Sequence, residues 1–149
     1  MIKFHKIKHN VLKLLPQLVD SFKNEEGIIC IYLFGSYAKG KVTPLSDVDI
    51  AILFDERIPM NEYFTREMDL LGKAIKILRT DEISFVLLNK IPLFLKYKII
   101  KEGKLIYCNN DNKRILFQSQ VTDHFLDFQP FHEEYRKFFF QAIRQKGLQ

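Results

Sequence analysis

Apolar residues at the start of the chain recur at helical spacing: Ile7, Val11, Leu14, Leu15, Leu18, Val19 and Phe22 fall on one helix face. Pro16 interrupts that face, so the pattern predicts either a kink or a second helix beginning near Leu15. Glu26-Gly27 closes the stretch, and the apolar run Ile28–Phe34 reads as a buried strand. A Gly-Ser turn and a polar loop containing Pro44 lead to a second strand, Val48 to Phe54. This strand alternates, with Val48, Ile50, Ile52 and Phe54 on one face and Asp47, Asp49, Ala51 and Leu53 on the other. Ala51 and Leu53 predict that the second face is covered as well.

Pro59 opens a helix running to about Arg79, with Phe64, Met68, Leu71, Ile75 and Leu78 on one side. A third strand follows at residues 83–88. Pro92 is placed to start a helix that Gly103 ends, and Leu105-Ile106-Tyr107-Cys108 makes a short fourth strand. From Asp111 onward the chain reads as helix, broken near Gln129-Pro130. Strands alternating with helices predict an α/β (α+β) fold in which helices flank a four-stranded mixed sheet.

The 149 residues fit one domain spanning 1–149, with a core at about 10–110 and a helical tail over 111–149. With 47% hydrophobic and 28% charged residues the chain is too apolar for a disordered protein. Its apolar runs are far shorter than the ~20 residues of a membrane span. The basic N-terminus (Lys3, Lys6, Lys8) is followed by no apolar stretch or cleavage site, so the expected location is the cytoplasm. Cys30 and Cys108 lie in apolar strand segments and are expected to be buried free thiols in a reducing compartment. A net charge of +5 permits an anionic partner without choosing one.

Chemistry concentrates in residues 35–49. Asp47 and Asp49 project from one face of the second strand at its rim, roughly 6.5–7 Å apart along the chain, within reach of one ion or a pair of ions. Two carboxylates so close repel unless a cation neutralises them, and oxygen-only ligation suits Mg²⁺ or Mn²⁺. Upstream, Gly35 lets backbone approach a phosphate. The Ser36 hydroxyl, with backbone N–H groups at a helix start, makes an anion seat, and Lys39 and Lys41 add positive charge. A phosphate cradle beside a two-carboxylate metal site is what metal-dependent transfer from a nucleoside triphosphate requires.

The run Phe34-Gly35-Ser36-Tyr37-Ala38-Lys39-Gly40 through Ser46-Asp47-Val48-Asp49 resembles the signature of the DNA polymerase β nucleotidyltransferase superfamily. Within it the chain is most similar to the minimal nucleotidyltransferase (MNT) antitoxins of HEPN/MNT toxin–antitoxin pairs. The likeness extends over Leu87-Leu88-Asn89, the Pro92 helix and Glu102-Gly103-Lys104-Leu105-Ile106-Tyr107. It implies the polymerase-β-like fold, nucleotide phosphates held by Gly35 and Ser36, which Lys39 in the same loop is expected to join, and Mg²⁺ held by Asp47 and Asp49. It also implies transfer of AMP from ATP to a tyrosine hydroxyl on a HEPN-type RNase toxin encoded nearby, which neutralises the toxin.

One departure stands out. The superfamily usually carries a third carboxylate on the later strand, where Ser84 stands here; Glu82, two residues back on the same face, could substitute as a metal ligand. Without a third acid the hydroxyl-activating ion would be held weakly. A catalytically weak or inactive antitoxin acting by stoichiometric binding is therefore an alternative, as is transfer to a small molecule.

Elsewhere, His5, His9, His124 and His132 stand apart from the motif and read as surface or helix-face residues. Lys90, Lys96, Lys98, Lys101 and Lys104 fit a solvated helix face, so no direct nucleic-acid binding is expected. The tail holds Phe125, Phe128, Phe131, Tyr135, Phe138, Phe139 and Phe140. These aromatics either complete the core or form a surface through which the toxin docks.

Overall fold

The stretch Val48–Phe54 (β2) is buried on both faces apart from half-buried Asp49, as its otherwise apolar composition requires of a central strand. Its neighbours are Ile28–Phe34 (β1), antiparallel, and Ile83–Leu87 (β3), parallel. The short Lys104–Cys108 (β4) pairs antiparallel with the other side of β1, so the order is β3-β2-β1-β4 in a mixed sheet. The structure, a computed structural model, describes residue 7 and residues 9–145.

The helices divide between the two faces. Leu15–Phe22 (α1), led in by a 3₁₀ turn at Val11–Leu14, carries Pro16 in its first turn, where a missing N–H is harmless. The second of the two outcomes allowed by Pro16 is therefore the observed one. With Tyr63–Leu78 (α3), it covers Ile31, Leu33, Val48, Ile50, Ile52 and Phe54. The opposite face, with Cys30, Tyr32, Ala51 and Leu53, is covered by Leu93–Glu102 (α4) and Asp111–Gln145 (α5). The Val48/Asp49 alternation thus falls as expected. In β1 a bulge between Ile28 and Cys30 turns Ile29 to the α4 side along with Cys30.

Side-chain hydrogen bonds hold strand ends in register. Asn89 accepts from the Phe54 N–H (2.8 Å) and donates to the Phe54 carbonyl (3.0 Å), fastening the end of β2 to the turn after β3. His9 is structural, its Nε2 2.6 Å from the Leu78 carbonyl at the end of α3.

Three expectations fail. The inward face of α3 is Glu67, Leu70, Ala74 and Leu78, whereas Phe64 is 68% and Met68 42% exposed. The helix carries two apolar stripes, and the docked one keeps small Ala74 against the sheet. Nor does Pro130 break the tail: α5 runs unbroken from Asp111 to Gln145 with the proline inside it. Proline frees the carbonyl four residues back, and Leu126, which carries it, is exposed to water. Cys108, expected to be buried, is half-exposed, unlike Cys30.

Candidate active site

The site is built where β1 ends. Phe34 is extended (φ −132°, ψ −174°) and Gly35 turns into a one-and-a-half-turn helix, Gly35–Lys39 (α2), with a φ of +68°. Gly40, also left-handed (φ 69°), ends α2 and donates its N–H to the Ser36 carbonyl. Where a Gly-Ser turn was expected, the segment is thus helical. Its first N–H groups have no partner inside the helix, and its buried Tyr37 anchors it to the core on the α1 side.

Antiparallel pairing sets Phe34 opposite Asp49, so the next residue, Gly35, lies against the Asp49 carboxylate. A Cβ on Gly35 would sit 1.9 Å from Asp49 Oδ2, a distance no side chain can occupy. Only glycine lets the backbone turn over this acid. On the other side of β2, Asp49 pairs with Ser84 in parallel register, and the Val48 N–H donates to the Glu82 carbonyl at 3.0 Å. Ser84 therefore occupies the strand position facing Asp49, as the sequence register anticipates.

A cleft of about 200 Å³ opens over this junction, lined by Phe34, Gly35, Lys39 and Asp49 and, from α4, Leu95, Lys98, Ile99 and Glu102. The structure thus brings Gly35, Lys39 and Asp49 to one cleft. Ser36 and Asp47, both half-buried, adjoin it in the chain without lining it, and neither does Glu82. Among the described residues no three His, Cys, Asp or Glu side chains group closely enough to hold a metal ion, so Glu82 does not complete a triad with Asp47 and Asp49. The α4 wall has no motif in the sequence. It arrives because Gly103 lets the chain return tightly onto β1: a Cβ there would meet the Ile99 carbonyl at 2.4 Å and the Leu33 carbonyl at 3.3 Å. Lys39 reaches Glu102 Oε2 at 3.9 Å, across the cleft mouth.

A family model described as "Polymerase beta, Nucleotidyltransferase" matches residues 16–112, from α1 to the start of α5. The chain belongs to this family. The nucleotidyltransferase is 31% identical over 98 residues to the protein adenylyltransferase MntA of Aphanizomenon flos-aquae, a match covering 61% of this chain and 64% of that one. It is 28% identical over 122 residues to MJ1547 of Methanocaldococcus jannaschii, whose name assigns the same activity, covering 79% and 84%. Its fold superimposes on a toxin–antitoxin crystal structure with AMP-PNP at a TM-score of 0.68 and 22% identity, covering 89% of this chain and 99% of that one. It also superimposes on a structure of a tri-AMPylated HEPN toxin from Shewanella oneidensis in complex with its MNT antitoxin, at 0.63 and 20% over 87% and 96%. The polymerase-β fold expected from the Gly35-Ser36 and Asp47-Asp49 motifs is therefore the observed one. No helix among the described residues is long and apolar enough to cross a membrane.

Proposed function

We propose that this nucleotidyltransferase moves AMP from ATP onto a tyrosine hydroxyl of a HEPN-type RNase toxin and so neutralises it. The observation that carries this reading is the packing of Gly35 against Asp49, which sets the start of α2, whose first backbone N–H groups have no partner within the helix, directly beside a carboxylate. The adenylyltransferase names of the relatives and the toxin–antitoxin complexes among the structural neighbours support the choice of AMP and of a HEPN partner.

Gly35 and Ser36 would receive phosphate oxygens on their N–H groups and the Ser36 hydroxyl, with Lys39 adding charge at the mouth. Asp47 and Asp49 suit Mg²⁺ or Mn²⁺, because two carboxylates completed by substrate phosphates and water are a usual ligand set for that ion. When bound, such an ion would neutralise phosphate charge and polarise the phosphorus that is attacked. In the transfer the acceptor hydroxyl releases its proton to water as its oxygen bonds the α-phosphorus, the bond from that phosphorus to the β-phosphate oxygen breaks, and pyrophosphate leaves. A cleft of about 200 Å³ is smaller than a typical enclosing ligand pocket, so part of the nucleotide lies toward the surface. A partner can present its hydroxyl there.

Incubation with α-labelled ATP, Mg²⁺ and the HEPN-type RNase encoded beside this chain should label the RNase and silence it. The Asp47→Asn/Asp49→Asn double variant should not. Labelling that survives the double change rejects the assignment of the two acids.

A second reading has its own observation. Ser84, not an acid, faces Asp49 across the β2–β3 pair. If that weakens the site, neutralisation is stoichiometric, and the double variant still silences the RNase when added in equimolar amount.

A further inference from the structure

On the same face of the sheet as the nucleotide cleft but at the opposite end of β1, Cys30 and Cys108 are direct register partners on antiparallel strands. Opposed residues share a face, and here both thiols lie on the α4/α5 side. The Asn109 N–H donates to the Ile29 carbonyl at 2.7 Å, which makes Ile29/Asn109 the hydrogen-bonded pair and the adjoining Cys30/Cys108 a non-hydrogen-bonded one. At such pairs the Cα atoms stand about 4.5 Å apart, inside the range that a disulfide spans. No other described residue is a cysteine, so the two thiols have only each other as partners within the chain.

Their surroundings differ. Cys30 is fully buried, and burial pushes its thiol up to about 12. Cys108 is half-exposed and bracketed by two charged side chains at the start of α5, Arg114 and Asp111, themselves 3.2 Å apart. A small oxidant in water therefore reaches Cys108 and not Cys30.

We propose that Cys30 and Cys108 form a reversible cross-strand disulfide by exchange with a low-molecular-weight disulfide, a modification site separate from the nucleotide cleft. Cys108 Sγ, as thiolate, attacks one sulfur of the oxidant, and a small thiolate leaves. Cys30 Sγ then attacks Cys108 Sγ in the mixed disulfide. The second small thiolate departs and takes up the Cys30 proton. The two protein thiols lose two electrons and two protons in all, and one small disulfide becomes two thiols. The product ties edge strand β4 to β1.

Oxidised glutathione is the probe. The full chain is incubated with it overnight, quenched with a maleimide and weighed intact after denaturation, then digested without reductant. The expected wild-type result is a monomer lighter by two hydrogens, with no maleimide added and the Cys30 and Cys108 peptides joined. Dithiothreitol should restore two alkylatable thiols. Cys30→Ala should stop at a glutathione adduct on Cys108, and Cys108→Ala should leave Cys30 unmodified. The proposal is overturned if wild type keeps two free thiols, holds a lasting glutathione adduct on Cys108 beside a free Cys30, or forms its bond between two molecules. The wild-type measurement decides the matter even where a variant fails to fold.

Discussion

Gly35 combines two demands that elsewhere fall on separate residues. Its φ of +68° suits a residue without a side chain, and the space where a Cβ would lie is filled by the Asp49 carboxylate. Gly35→Ala should therefore displace Asp49 or unwind the turn. The local strain is about 1–2 kcal/mol, a modest loss of stability, yet transfer should fall by about 100-fold because the misplacement is at the reacting centre. Thermal melting alongside labelling of the RNase separates the two effects; a variant that melts normally and labels normally would show that the close approach is dispensable. Lys98 is the counterpart that no motif announces. It lines the same cleft as Asp49, from α4, and makes no ion pair with any other described residue. Lys98→Ala should raise KM for ATP about tenfold, the worth of one charge-assisted contact, and change kcat less. Steady-state kinetics in ATP is the check.

At the scale of elements, what was legible in the sequence is whatever one strand or one cap decides by itself. The β2 alternation, the Pro92 start of α4 and its stop at Gly103 are local, and each is found as read. The face of α3 was not legible. Phe64-Met68-Leu71-Ile75 and Leu70-Ala74-Leu78 are both apolar at helical spacing, and only packing against the sheet chooses between them. Leu70→Ala should therefore lower stability by about 3 kcal/mol, while Met68→Ser should stay within about 0.5 kcal/mol; urea unfolding of the two variants tests the orientation. The α4 wall of the cleft was invisible for a similar reason, since a helix distant in sequence reaches Asp49 only through the fold. A further tie between distant elements is the buried Asp55, just after β2, whose Oδ2 accepts from Lys113 Nζ on α5 at 2.7 Å. The hydrogen bond from Lys113, then the one from the Arg57 backbone, hold Asp55 below its ordinary value of 3.8 against the opposing effect of burial. A depressed folded value means the carboxylate stabilises the fold above about pH 4, and that contribution is lost as pH falls below it. Lys113→Met should cost about 2 kcal/mol at pH 7 and make stability less steep in acid, as read by urea midpoints from pH 7 down to pH 3.

For the whole molecule, the tail aromatics divide along the length of α5. Its first half belongs to the body: Val121 is buried, Phe117 packs on the α4 face of the sheet, and Phe125 stacks on Tyr97 with rings 3.9 Å apart and nearly parallel. Beyond Phe125 the helix leaves that support, and Leu126, Phe128 and Phe138 are 54%, 48% and 71% exposed. His5 and the side chains of Phe131, His132, Tyr135, Phe139 and Phe140 lie outside the described residues. Of the two roles expected for the aromatics, core and docking surface, the first fits Phe125 and the second fits Phe138. A helix whose far half carries large apolar side chains into water suits a surface that a partner covers. If the RNase docks there, ending the chain after Pro130 removes the partner's purchase while leaving α4, the sheet and the cleft intact. The truncated protein should then melt within a few degrees of the full chain and bind ATP as before, yet fail to co-elute with the RNase in gel filtration. Phe138→Ser in the full chain should weaken co-elution without moving the melting temperature. Co-elution of the truncated form at full strength would instead place the docking surface on the domain itself, with the exposed Phe64 and Met68 stripe of α3 the next face to change.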